Sequence, residues 1–375
     1  MKIIHCADLH LDSPMRTNLD ASKSKERKLE LLDTFQNLVK YAADESVEAI
    51  LIAGDLFDGR NVSKTALNAF LRQVETHPEI MFYYLRGNHD AMSLPNAYGL
   101  PKNLKLFSDS WTRYVLNEDC RKDAESSGVR IVLSGVEYNG VNENSIYGSL
   151  SLNARDFNIV MLHGQTTKHN MGDRTEYVHI RELTDRGIDY LALGHVHGFA
   201  KEDFDARGTY CFPGCLEGRG FDECGEHGFV LLNIDETQPG YTMTFVPFAK
   251  RNLYSVRVDV AGCMHSDEIR ERVEAAVNEC GFAETSFLKI VLTGDLDVNC
   301  EKDPDYILYP FKNRFYYAKL EDETKMRADF RMYAFDESLK GEFIRNVLAS
   351  DLSDDEKGEV IHYGLMALRG EEIVK

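Results

Sequence analysis

Short apolar runs that stop abruptly in polar clusters set the rhythm of the first half of the chain. Residues 2–7, Ala49–Ala53 and Met81–Leu85 are apolar almost throughout and too short for a stable helix. Such runs predict strands buried on both faces, as a parallel sheet covered by helices requires. Helical spacing takes over between them. Residues 25–45 bring Leu29, Leu31, Leu32, Phe35, Leu38, Val39 and Ala42 onto one side, with charges between. Residues 63–76 do the same with Leu67, Phe70, Leu71 and Val74, with Ser63 as the cap and Pro78 closing the segment. Strand, helix, strand, helix, strand is the alternation of an α/β layer.

Beyond the irregular stretch 91–127, strands are predicted at Val129–Val136, Asn158–Leu162, Tyr190–Leu193, Thr209–Phe212, Gly228–Ile234 and Tyr241–Pro247, with one helix near 177–186. A second sheet packed face to face with the first follows. The fold class expected for residues 1–250 is therefore α/β, a four-layer α/β/β/α sandwich. Lys250-Arg251-Asn252 marks a boundary. Residues 251–325 predict a smaller α+β cap domain that would position the substrate, with strand 253–260, helix 265–280 ended by Gly281, and strand Phe287–Thr293. Residues 326–375 predict a C-terminal helical segment. One stripe there holds Leu339, Phe343, Ile344, Val347 and Leu348, and a second holds Val360, Ile361, Leu365, Met366 and Leu368. Both could pack back on the cap, or pair as a helix-loop-helix whose outer apolar surface takes a partner.

The polar clusters fall at the carboxyl ends of the apolar runs, where open α/β sheets assemble their sites. They are Asp8-Leu9-His10, Gly54-Asp55-Leu56-Phe57-Asp58, Gly87-Asn88-His89-Asp90, His163-Gly164 and Gly194-His195-Val196-His197. Each alone is ordinary turn or core chemistry. Five of them, in order and at strand ends, are not a coincidence. Asp, Asn and His donors without thiolate suit borderline-to-hard divalent ions such as manganese, iron or zinc. The two oxygens of Asp55 make it the natural bridge between two ions roughly 3.5–4 Å apart. His195 and His197 alternate on an extended segment, so a bend there can send their rings to different ions. His89 is left free as an acid, with Asp58 to orient it. The other seven histidines, at 5, 77, 169, 179, 227, 265 and 362, lack such a setting and read as ordinary core or surface residues.

Composition narrows the field. A chain of 375 residues with 43% hydrophobic content can build two or three domains with ample core. Its eight cysteines, at 6, 120, 211, 215, 224, 263, 280 and 300, lack the dense spacing of a disulfide scaffold. Cys211, Cys215 and Cys224 contain no paired C-x2-C, and Pro213-Gly214 between them suits a site loop better than a zinc knuckle. The amino terminus enters a strand directly at Lys2-Ile3-Ile4, and no run reaches transmembrane length, so the expectation is a cytoplasmic protein without membrane contact. A net charge of -19 argues against broad adhesion to nucleic acid or anionic lipid. Any nucleic acid must be held locally, by metals, by a few placed Arg and Lys, or by a partner.

Taken together, Asp8-x-His10, Gly54-Asp55-x-x-Asp58, Gly87-Asn88-His89-Asp90, His163-Gly164 and Gly194-His195-x-His197 resemble the full motif set of the calcineurin-like metallophosphoesterases. More narrowly, Ala7-Asp8-Leu9-His10-Leu11-Asp12-Ser13-Pro14, and the Gly-His-Val-His followed by Pro213-Gly214, resemble the SbcD-like DNA repair exonuclease branch and its YhaO-like members. Protein serine/threonine phosphatases differ in having Asp-Arg-Gly where this chain has Asp58-Gly59-Arg60, and Glu where it has Asp90; purple acid phosphatases would carry Tyr at position 58. The resemblance covers residues 8–214. It implies a two-metal DNA phosphodiesterase acting in repair, exonucleolytic, with single-strand endonuclease action also open. Two divalent ions, manganese first and iron or zinc as alternatives, would be held by Asp8, His10, Asp55 and His197 in one position and by Asp55, Asn88, His163 and His195 in the other. His89 would donate the proton and Asp58 would orient it. The implied partners are DNA and an SbcC-like coiled-coil ATPase bound through the C-terminal helices, with a homodimer also open. Two other readings remain: a small-molecule or cyclic-nucleotide phosphodiesterase of the same fold, and a mainly structural component of a DNA-repair complex. The cap beside the cleft favours a polymeric substrate.

Overall fold

The structure, a computed structural model, describes residues 1–15, 19–59, 62–90, 99–117, 128–138, 142, 145–169, 171, 176–238, 240–327, 333 and 335–369. Contacts divide the chain after Asn252 into two units. The first unit opens with β1 (Lys2–Cys6), α1 (Ala21–Asp44), β2 (Ala49–Ala53), α2 (Lys64–Thr76) and β3 (Met81–Leu85). It continues through β4 (Leu104–Leu106), β5 (Thr112–Val115), β6 (Ile131–Gly135), α3 (Ile146–Ser149), β7 (Phe157–His163), α4 (Ile180–Leu183) and β8 (Tyr190–Gly194). It closes with β9 (Ala200–Asp203), β10 (Thr209–Phe212), β11 (Gly228–Ile234) and β12 (Tyr241–Pro247).

Two six-stranded sheets result, ordered β12-β11-β1-β2-β3-β4 and β5-β6-β7-β8-β10-β9. Strands β1 to β3 of the first and β6 to β8 of the second run parallel. Alternate side chains of one strand enter different cores, which is why the runs are apolar almost throughout. Ala49, Leu51 and Ala53 of β2 point between the sheets with Ile159, Met161 and Ala192 from the second sheet. Ile50 and Ile52 point the other way, under Phe35 and Leu38 of α1 and Phe70 and Val74 of α2. On the far side, Leu162 and Leu193 are covered by Ile146, Tyr147 and Leu183. This is the expected α/β/β/α sandwich. Asp20 caps α1 by accepting from the Lys23 amide at 2.8 Å, and Ser63 caps α2 by accepting from Ala66 at 3.2 Å.

A charged network is buried beneath α1. The guanidinium of fully buried Arg27 donates to Glu30 at 2.6 Å and to Glu217 at 3.1 Å, and Arg251 donates to Glu30 at 2.7 Å. The network ties α1 to the loop that follows β10.

The second unit contains β13 (Leu253–Asp259), α5 (Ser266–Cys280), β14 (Phe287–Thr293), β15 (Asp295–Asp297), α6 (Pro304–Arg314), β16 (Tyr317–Asp322), β17 (Lys325–Arg327), α7 (Leu339–Leu348) and α8 (Asp354–Arg369). A parallel sheet β13-β14-β16 and a two-stranded ribbon β15-β17 share one core with the helices. Residues 326–375 were expected as a separate segment, but Ile344 and Val347 of α7 and Ile361 and Leu365 of α8 lie in the same core as Val256, Ile290 and Phe311. The inner stripe of both helices is thus consumed within the unit. Leu339, Val360, Tyr363 and Leu368 remain exposed. Gly364 permits the close fit, because a Cβ there would stand 2.1 Å from the Phe343 ring.

The helix expected near 177–186 contracts to the single turn α4. The apolar pattern does not announce α6, which carries Pro310 inside it, nor the mixed-polarity strands β4, β5, β9 and β16. The boundary expected after residue 250 falls after 252. Among the described residues no helix is long and apolar enough to cross a membrane.

Candidate metal centre

The loops leaving β1 and β2 run side by side, and this pairing builds the floor of the site. The amide of Asp8 donates to the Gly54 carbonyl, His10 to Asp55 and Leu11 to Leu56, each at 3.0 Å. Asp8, His10, Asp55 and His195 all adopt positive φ, at 53°, 42°, 50° and 95°. Side-chain-bearing residues rarely sit there. The turns send these side chains inward. Three glycines are required by space: a Cβ on Gly54 would meet His163 Nδ1 at 2.0 Å, one on Gly194 the Ala53 carbonyl at 1.9 Å, and one on Gly87 the Asp55 Oδ1 at 2.2 Å. Asp90, fully buried, braces the third turn by accepting from the amides of Leu56 at 3.1 Å, Phe57 at 2.8 Å and Gly87 at 3.0 Å.

All nine sequence-predicted residues converge. Asp8, His10 and His197 place one donor atom each within 4.8 Å of one another, and so do Asp55, His163 and His195. Asp55 Oδ2 lies 3.4 Å from His163 Nε2 and 3.9 Å from His10 Nε2, between the two groups. Asn88 Oδ1 lies 3.1 Å from His163 Nε2. A third group, His10, Asp58 and His89, adjoins the first, with His89 Nδ1 3.2 Å from Asp58 Oδ1.

The donors fit divalent ions. His163 Nδ1 faces the Ala53 carbonyl at 2.9 Å, so in the neutral ring Nδ1 carries the hydrogen and Nε2 turns a lone pair toward the oxygens of Asp55 and Asn88. Lone pairs meeting at that distance repel unless a proton or a cation lies between them. Neither ring nitrogen of buried His10 makes a hydrogen bond. Clusters of this kind can hold metal.

The electrostatics follow the same arrangement. Burial works against a charge on His163, yet the Asp55 carboxylate beside it lifts the imidazole to about 10. Burial likewise opposes ionisation of Asp55, but the His163 charge outweighs it and holds the carboxyl well below its usual range. His10 goes the other way: burial, reinforced by the Arg219 guanidinium, pushes its imidazole down. His89 is half-exposed, and its hydrogen bond with Asp58 raises it above an ordinary imidazole.

Two site residues escaped the sequence reading. Glu223 Oε1 lies 2.7 Å from His197 Nδ1, and Arg219 Nη2 donates to the same oxygen at 2.9 Å while its Nη1 lies 3.8 Å from Asp58. The one signal for them was Pro213-Gly214, which marks the start of their loop. The cysteines form no metal group among the described residues. Cys211 and Cys215 are buried and Cys224 is exposed. His5 is buried against the Tyr190 hydroxyl at 2.8 Å, as an ordinary core histidine.

Known proteins are similar to this chain over the span that carries the site. The uncharacterized metallophosphoesterase YhaO of Bacillus subtilis is 30% identical over 253 residues, covering 64% of this chain and 59% of that protein. The DNA double-strand break repair protein Mre11 of Methanopyrus kandleri is 27% identical over 300 residues, 73% of this chain and 62% of that protein. The SbcD component of the nuclease SbcCD from Rhodobacter capsulatus is 33% identical over 94 residues, 24% of this chain and 22% of that one. The chain thus spans about three-fifths of the length of the first two. These relatives fit an SbcD/Mre11-like branch. The profile of the calcineurin-like phosphoesterases matches residues 1–199, a span that contains every one of the converging Asp, Asn and His side chains, and the chain belongs to that family.

Proposed function

We propose that the chain is a two-metal phosphodiesterase that hydrolyses DNA within a repair nuclease. The position of Asp55 carries this reading: its carboxylate faces His163 of one donor group and His10 of the other, and so is available to two ions at once. Asp8, His10, Asp55 and His197 would hold one ion, and Asp55, Asn88, His163 and His195 the second. Oxygen and imidazole donors without thiolate favour manganese, with iron or zinc as alternatives. Bound there, the ions supply Lewis-acid activation of the phosphoryl group and of water.

The chain's own residues supply the rest. Asp58 accepts the Nδ1 proton of His89 and turns the opposite ring nitrogen outward. When the P–O bond breaks, negative charge builds on the departing oxygen, and His89 donates its Nε2 proton there. The carboxylate of Asp58 raises the pKa of that ring and so favours its protonated form. Arg219 adds a fixed positive charge next to Asp58, where charge developing on the phosphoryl oxygens is stabilised.

DNA is favoured as substrate by the double-strand break repair role of the Mre11 relative and the nuclease role of the SbcCD relative. The second unit is assigned to positioning that polymer. The exposed outer residues Val360, Tyr363 and Leu368 of α8 are assigned to a coiled-coil ATPase partner. A net charge of -19 makes such a partner useful, since the chain by itself repels duplex phosphates. The same charge supports the runner-up, a phosphodiesterase for small substrates.

The test is to incubate the purified chain with manganese, labelled single- and double-stranded DNA, and a generic bis-phosphodiester. Degradation of DNA together with the bis-phosphodiester is expected. Cleavage of the small ester alone would overturn the polymer assignment. Two bound ions without hydrolysis of either would leave a structural role only.

A further inference from the structure

We propose that Glu223 is the positioning residue of this site: it accepts the Nδ1 proton of His197 and thereby fixes which ring nitrogen His197 presents to a divalent ion. The inference rests on the reading of Asp8, His10 and His197 as ligands of one ion. A neutral imidazole carries one N–H and one lone pair, and which nitrogen has which is decided by the partner of the outward nitrogen. For His163 that partner is the Ala53 carbonyl, 2.9 Å from Nδ1. For His197 it is the carboxylate of Glu223, 2.7 Å from Nδ1; Arg219 Nη2 lies farther from that nitrogen, at 3.3 Å, and donates instead to Glu223 at 2.9 Å. With Nδ1–H committed to Glu223, the Nε2 lone pair is the donor left for the group formed with Asp8 and His10.

Glu223 is itself held rigidly, as a positioning group must be. It is 7% exposed. Oε1 also accepts from Arg219 Nη2 at 2.9 Å, and Oε2 accepts from the Arg219 amide at 2.7 Å and from the Cys215 thiol at 3.7 Å. Its own carbonyl accepts from His227 Nε2 at 2.8 Å. The same loop holds the backbone of His197: the Cys215 amide donates to the His197 carbonyl at 3.0 Å. A Cβ on Gly214 would stand 2.7 Å from that carbonyl oxygen. Ring and backbone of one candidate ligand are therefore both fixed by residues 214–227. The carboxylate near His195, Glu176, lies at 3.8 Å from Nδ1 and grips less closely.

The test uses the full chain, stripped of metal and titrated with manganese alone by calorimetry, with elemental analysis for stoichiometry. Glu223→Ala is expected to weaken one of the two ions by roughly 10–100-fold and leave the other unchanged, the usual effect of removing a carboxylate behind a histidine ligand. Glu223→Gln, which can still accept through its amide oxygen, should recover part of the loss. Nitrogen NMR of the metal-free protein, with the His197 signal identified by its loss in His197→Ala, should show the Nδ1–H tautomer in the wild type and the Nε2–H tautomer in Glu223→Ala. In a His197→Ala background, Glu223→Ala should change nothing further. If Glu223→Ala does not fold, Glu223→Met keeps the length without the acceptor and takes its place. An unchanged tautomer, or an undiminished affinity for both ions in the folded variant, overturns the proposal. So does an equal loss in Arg219→Met, which removes the loop's guanidinium brace but leaves Glu223 against His197. A wild-type chain that takes fewer than two ions would instead overturn the reading beneath it.

Discussion

Replacing Gly87 with alanine tests whether the candidate centre depends on the close approach of two strand-end turns. The backbone of Gly87 does not lie in the left-handed region, so alanine is conformationally allowed there. Space is what forbids it. A Cβ would stand 2.2 Å from Asp55 Oδ1, 2.7 Å from the Asp55 amide nitrogen and 2.8 Å from His163 Cε1. Ordinary contact begins at 3.4 Å, so the oxygen must recede by 3.4 − 2.2 = 1.2 Å and the backbone nitrogen by 3.4 − 2.7 = 0.7 Å. The nitrogen belongs to the paired loops and has nowhere to go without moving His10, whose amide donates to the Asp55 carbonyl. The oxygen accepts from the His89 amide at 2.9 Å, so its movement drags the proposed proton donor as well. A misplacement of about 1 Å at a reacting group costs on the order of 10²-fold, or about 2.7 kcal/mol of barrier. The assay is kcat/KM on a bis-phosphodiester with manganese, beside metal stoichiometry. Gly148→Ala is the control, since a Cβ there meets nothing within 4 Å. A Gly87→Ala protein with two ions and wild-type turnover would refute the reasoning.

Other outcomes follow from the same geometry. Asp55→Ala should lose both ions and all activity, and elemental analysis finding two ions in an active mutant would sink its role as the bridge. His89→Asn should keep both ions and slow turnover by roughly 10²–10⁴-fold; loss of metal instead would make His89 a ligand, which its grouping with His10 and Asp58 makes a pointed test. Asp58→Asn should move the alkaline limb of the pH profile to lower pH. The sign follows because the acid must be protonated, Asp58 raises the pKa of His89, and removing the charge lets the proton go sooner; an unmoved limb would separate Asp58 from the donor. Deleting residues 336–375 should unfold the second unit rather than merely free a partner-binding tail, because it removes Ile344, Val347, Ile361 and Leu365 from its core, and each such side chain cut to Ala alone costs about 1–5 kcal/mol. A truncated chain with an unchanged melting profile would show those helices to be dispensable.

The parts of the fold that sequence foretells are those whose pattern is fixed by burial on a known number of sides. β1, β2 and β3 are apolar at nearly every position, His5 of β1 being a buried exception, because one set of side chains meets the second sheet and the other meets α1 and α2. Strands with one wet side or at a sheet edge give no such signal: β4 sets Lys105 between two leucines, and β9 runs Ala-Lys-Glu-Asp. The helix α6 hides because Pro310 interrupts its pattern, although Asp303 and Pro304 make an ordinary start. The C-terminal stripes were legible as stripes. Their destination was not, because a run such as Ile361 and Leu365 satisfies a core of its own unit as well as it would a foreign groove.

The candidate ligands were legible for a different reason, which also explains why Glu223 and Arg219 were not. Asp8, His10, Asp55 and His195 leave their strands in the left-handed region, and they are four of the eight non-glycine residues with positive φ among those described. Asp tolerates that conformation, whereas for His10 and His195 it stores about 1–3 kcal/mol each. A strand end under that constraint accepts few residue types, and glycines must flank it where Gly54 and Gly194 crowd His163 and Ala53. The motif is therefore written locally, in a few adjacent letters. Glu223 meets His197 across 26 residues, at a position whose own backbone asks nothing unusual of it. An acidic residue in a polar loop is indistinguishable in sequence from a solvated one; what marks it is the imidazole that the fold carries to within 2.7 Å. The candidate ligands are thus declared by the turns that aim them. A residue proposed to position a candidate ligand, such as Glu223, is declared only by contact, and substitution there should separate metal affinity from stability.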